Sequence, residues 1–118
     1  MKIQTNKIYD LEDRTFLFAK SVFNYCRNLP RSLGNPEYCR QVIRSSSSVG
    51  ANYIEANEAL GKKDFYMRIR ICRKEAKETA YWLKLIVEVN DFDYREAGLV
   101  LYNESIELKK IFASMGPK

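Results

Sequence analysis

The sequence predicts an all-α protein, an antiparallel up-down-up-down four-helix bundle, on three observations. Apolar residues recur at spacings of three and four along four long segments, and no segment shows the period-two alternation of a strand. Breaks at Pro30–Pro36, at Gly61 and at Asp91–Asp93 separate those segments. The connections are short, which sets consecutive helices side by side and antiparallel. At 118 residues the chain is long enough for one domain with its own core, over residues 1–118, and too short for two.

The first helix is expected over about residues 10–28, its face formed by Leu11, Thr15, Phe18, Val22, Cys26 and Leu29. Asp10, Glu12 and Asp13 crowd its start, where the helix dipole favours negative charge. The second spans about 36–60, with Asn35 as N-cap, Pro36 in its first turn and Gly61 as C-cap. Its face is Cys39, Val42, Ser46, Val49, Tyr53, Ala56 and Leu60.

The third, about 63–90, carries Phe65, Ile69, Cys72, Ala76, Thr79, Leu83 and Ile86 on one stripe. A second stripe of Ile71, Tyr81 or Trp82, Leu85 and Val89 widens its apolar face, and that surplus predicts a subunit contact. The fourth, about 94–114, is expected to bury Leu99, Tyr102, Ile106, Ile111 or Phe112 and Met115 before Gly116-Pro117 stops it.

Composition limits function. With no histidine, the Ser-His-Asp and Cys-His systems and the usual zinc and iron ligands are gone, so a non-enzymatic protein without cofactor or metal is expected. Cys26, Cys39 and Cys72 are odd in number and widely spaced, which reads as reduced structural thiols. No apolar run approaches the ~20 residues that span a bilayer, and the start lacks a signal-peptide pattern, so a cytoplasmic protein with no membrane partner is expected. The formal charge of +5 permits an anionic partner without demanding one.

Four constellations stand out. The run Ser45, Ser46, Ser47, Ser48, Gly50, Ala51 thins the second helix; it reads as a close-packing face rather than a phosphate cradle, because a cradle uses the free amides of a helix N-terminus. Glu55, Glu58, Glu75 and Glu78 form two i,i+3 carboxylate pairs. Without Glu-x-x-His they read as polar pairs rather than a di-metal site. Asn52, Glu55, Glu75 and Glu78 are expected to bond across helices or to pair with Lys74, Lys77 or Arg44. Arg68, Arg70, Arg73, Lys74, Lys77 and Lys84 make the third helix basic, either as a phosphate-neutralising stripe or as a solvated face. Tyr81-Trp82 reads as core or interface anchors ahead of a base-stacking pair.

The segments Arg44–Asn52 (RSSSSVGAN), Glu55-Ala56 and Lys74–Leu83 (KEAKETAYWL), with Pro30 and Asp64-Phe65, resemble the family of four-helix bundle proteins encoded by intervening sequences of bacterial 23S rRNA genes. The resemblance covers about residues 8–112. It implies the bundle fold, assembly into a ring-shaped homopentamer and no established enzymatic activity. Ser47, Ser48, Gly50, Asn52, Glu55, Glu75, Glu78 and Trp82 are then signature and packing positions without a catalytic role. The chain is also similar, more distantly, to accessory proteins of diversity-generating retroelements, which implies a reverse transcriptase as a further partner. The reading that results is an oligomeric bundle binding RNA or DNA non-specifically through its third helix. The alternative is a protein-interaction or scaffold module with no nucleic-acid ligand.

Overall fold

The computed structural model describes residues 10–117, so the leader reading of the first nine residues lies outside the described residues. The order is α1 (Leu11–Arg27), α2 (Asn35–Asn57), α3 (Lys62–Val89), a 3-10 turn at Phe92–Tyr94 and α4 (Arg95–Ser114), with no strand among the described residues. The helices are antiparallel in sequence order. Glu12 at the start of α1 accepts a bond from Asn57 at the end of α2, and Asn35 at the start of α2 meets Asn90 just past α3. The Tyr25 hydroxyl, near the end of α1, donates to the Tyr94 carbonyl at the mouth of α4, 2.8 Å away. These contacts make a four-helix bundle.

On α1 the expected face is the buried one, with Leu11, Thr15, Phe18, Val22 and Cys26 inside and Leu29 packed at its edge. The main stripe of α3 is likewise inside, from Ile69 to Ile86, with Phe65 half-buried at its start.

Four expectations are corrected. The α4 face is met only in part: Phe112 is buried as expected and Tyr102, Ile111 and Met115 pack at the edge of the core, but its centre is Gly98, Leu101, Ser105 and Leu108, and Leu99 is 37% exposed. The run Leu99-Val100-Leu101-Tyr102 offers apolar groups on every side, so hydropathy does not select the face; the small Gly98 and Ser105 do, by letting α4 approach α1 and α3 closely. Secondly, α2 ends at Asn57, leaving Leu60 fully exposed, and Gly61 is the N-cap residue of α3, not the C-cap of α2.

Thirdly, Asn35 is the first residue of α2 and does not cap it. Its backbone N–H is taken by the Ser32 hydroxyl at 3.2 Å, and its amide exchanges two bonds with the Asn90 amide, at 2.8 and 2.9 Å. A buried amide satisfied by another amide ties two helix ends together, which a solvent-facing cap does not do. Fourthly, the second stripe of α3 is not a uniform apolar band: Ile71, Trp82 and Leu85 are half-buried, but Tyr81 and Val89 are 60% and 54% exposed.

The three cysteines are free. Burial pushes the Cys72 thiol up to about 12. The Cys39 thiol donates to the Cys26 carbonyl at 4.0 Å, and the interaction between the two thiols raises Cys26 and lowers Cys39.

Candidate nucleic-acid interface

An α-helix turns about 100° per residue, so side chains seven and eleven apart return to nearly the same direction. The inner arc of α3 faces the core. The arc toward α2 holds polar groups, and the opposite arc holds cations.

The polar arc is a latched seam. Ser45 and Ser46 of α2 are fully buried, and the Ser45 and Thr79 hydroxyls meet at 2.8 Å. The Cys72 thiol donates to the Val49 carbonyl at 3.4 Å, a side chain of one helix reaching the backbone of the next. Such contact requires small residues on α2. Gly50 does the same on the α1 side, where an added Cβ would lie 2.9 Å from the Thr15 hydroxyl. The serines do not all share this role. Helical phase turns Ser47 and Ala51 outward, where with Gly50 they line an apolar groove beside Phe16, Phe23 and Ile54, and Ser48 is half-buried under the Asn52 amide. Ser45 lies ten residues beyond the start of α2, so the amides around it belong to the helix and are not available to an anion.

The carboxylates divide in two. Glu75, 8% exposed, and Glu78 share Arg44 of α2, at 3.5 and 2.5 Å. Glu55 and Glu58 are exposed and form no ion pair among the described residues. No cluster of three or more histidine, cysteine or acidic side chains able to hold a metal occurs among the described residues. Lys74 acts on Glu78 through its charge and lies beyond ion-pair distance.

Glu78 also accepts the indole N–H of Trp82 at 3.0 Å. That bond, followed by the bond from Arg44 and the Arg44 charge, holds its carboxyl below the usual glutamate range, and Arg44 is raised in return. A depressed folded-state value adds stability that is present above the unfolded value and lost as pH falls through the folded one. Trp82, the single tryptophan, reports the event. Its emission is expected to shift in a step centred below the ordinary glutamate range, and Glu78→Gln is expected to remove the step; an unchanged titration in that variant would assign it elsewhere.

The cationic arc carries Arg70, Arg73, Lys74, Lys77 and Lys84, all exposed. None of the five lies within ion-pair distance of a carboxylate among the described residues. Arg68 is not part of it. Two residues before Arg70, it points about 200° away, toward α2, where its guanidinium donates to the Asn52 side-chain oxygen at 3.0 Å. Tyr81, treated in the sequence as an anchor, stands on the cationic arc between Lys77 and Lys84. Its position eleven residues from Arg70, three helical turns, is the signal that places it there.

The class these features define is an all-helical bundle with a hydrogen-bonded α2–α3 seam and a positive outer face on α3. Residues 7–114 match the family described as 23S rRNA-intervening sequence protein, and the chain belongs to that family. Among solved structures it is similar to a protein of unknown function from the S23 ribosomal protein family of Bacteroides thetaiotaomicron, with 30% identity, a TM-score of 0.78, and 91% of this chain and 98% of that one covered. Neither match indicates an enzyme family. No curated protein matches the chain. No helix among the described residues is long and apolar enough to cross a membrane.

Proposed function

We propose that this protein is a non-enzymatic, cytoplasmic, oligomeric bundle that binds RNA or DNA without sequence preference through the outer face of α3. The observation that carries the reading is the row Arg70, Arg73, Lys74, Lys77 and Lys84, exposed and beyond ion-pair distance of any carboxylate among the described residues. Cations that an internal ion pair does not hold are available to phosphates, and the counterions released from the nucleic acid drive association. The test is electrophoretic mobility of an RNA and DNA panel at two salt concentrations. Retardation is expected for both nucleic acids at low salt and is expected to weaken steeply as salt rises; salt-independent retardation, or none, overturns the reading.

The assembly is part of the proposal. A group of exposed apolar side chains lies on α1 and its neighbours, with Phe16 at 67%, Leu17 at 57%, Ile54 at 51% and Val100 at 61%. That surface, more than the second stripe of α3, suits contact between subunits. Light scattering is expected to give five times the 13.8 kDa of one chain, as the family resemblance implies, and a monomer overturns the assembly.

The same apolar face favours a second reading, a docking module for a protein partner such as a reverse transcriptase. In that case the purified protein retards no nucleic acid at either salt concentration.

A further inference from the structure

We infer that the ligand of the α3 face is single-stranded, and that Tyr81 is the platform on which one of its bases stacks. The inference rests on the nucleic-acid reading and goes beyond it by naming the strand state and the residue that selects it.

Tyr81 is 60% exposed and lies one helical turn from Lys77 on one side and Lys84 on the other. A tyrosine left in water within a row of ammonium groups contributes little to the core, so its ring is available for a ligand. It is also held in place. Its ring meets Trp82 edge to face at 5.1 Å, Trp82 stacks on Tyr38 of α2 at 6.2 Å, and the indole N–H is fixed by Glu78, which Arg44 holds in turn. The chain of contacts runs from the α2–α3 seam out to the exposed phenol, so stacking costs little ordering of the ring.

From Arg70 to Lys84 the row extends about 21 Å at ~1.5 Å per residue, long enough for several nucleotides, and exposed Glu88 ends it one turn later. A cationic track with an aromatic face inside it is the arrangement that binds single strands, because each unpaired base has a free π face. Inside a duplex those faces are stacked on each other, so the duplex offers the cations its phosphates but gives Tyr81 no base face to stack on.

The experiment compares fluorescence anisotropy of a labelled 20-nucleotide oligothymidylate and a labelled 20-base-pair duplex, titrated with the wild-type oligomer, Tyr81→Ala and Tyr81→Phe. The expected result is tighter binding of the oligothymidylate at equal salt, a loss of about tenfold in Tyr81→Ala confined to the single strand, and retention in Tyr81→Phe. Equal loss on both probes, or no loss, overturns the role of Tyr81 and leaves salt-dependent nucleic-acid binding standing. A fall in molar mass in Tyr81→Ala assigns the ring to a subunit contact and also overturns it. Binding of neither probe by the wild type removes the underlying reading as well.

Discussion

Gly98→Ala is expected to destabilise the fold by about 2–3 kcal/mol, a large share of the stability of a small domain. A Cβ built at Gly98 would lie 2.4 Å from a Val87 methyl and 2.5 Å from the Tyr25 hydroxyl. Both neighbours are buried, and Tyr25 is further fixed by its bond to the Tyr94 carbonyl. The helix must therefore move away from α3, or Tyr25 must give up its bond. Overpacking of this kind costs about 1–3 kcal/mol and the lost hydrogen bond about 1 more. Against this stands a gain of up to about 1 kcal/mol in helix propensity. Gly61 provides the control. An added Cβ there meets nothing within 4 Å and its φ of −158° is ordinary extended backbone, so Gly61→Ala is expected to be tolerated. Urea unfolding followed by Trp82 emission measures both, and equal midpoints for the two variants would contradict the close approach of α4.

Gly98 also shows why part of the fold was legible and part was not. On α1 and α3 one stripe keeps its spacing of three and four along the whole helix, Leu11 to Cys26 and Ile69 to Ile86, and that unbroken period selects the buried face although Phe16, Leu17 and Phe23 of α1 lie outside it. On α4 apolar side chains run through four consecutive positions, and the deciding quantity is size at Gly98 and Ser105, which hydropathy does not weigh. The helix ends fared less well for a related reason. Asn35 and Gly61 carry the right chemistry for caps, but a second polar partner outranks the local role for Asn35, and the early stop of α2 moves Gly61 to the next helix.

In the candidate site, Arg70, Arg73, Lys74, Lys77 and Lys84 follow from spacing, whereas Arg68 has the right charge on the wrong side of the helix. Tyr81 was obscured by its neighbours. Leu83 is packed inside and Trp82 is half-buried against the core, and a residue beside them reads as core until its phase relative to Arg70 is counted.

That phase defines the second large effect. Reversing Arg70, Arg73 and Lys77 to glutamate is expected to weaken nucleic-acid binding by about a hundredfold or more at low salt, because each lost phosphate contact removes about one unit from the log–log salt slope and the new carboxylates repel the strand. All three side chains are exposed and form no ion pair among the described residues, so circular dichroism and the urea midpoint are expected to stay near wild type. The reversal takes the formal charge from +5 to −1, and the change in total charge must be separated from the change in place. Lys20 and Arg27 on α1 with Lys110 on α4, also exposed, give that separation: reversing them alters the total charge by the same six units away from the α3 face. Long-range attraction between surface charges is screened within about 8 Å at physiological salt, so position should outweigh the total. The control variant is expected to lose only a few-fold in affinity with its salt slope nearly intact. Equal losses in the two variants would mean that the nucleic acid responds to net charge, and the α3 face would no longer be the interface.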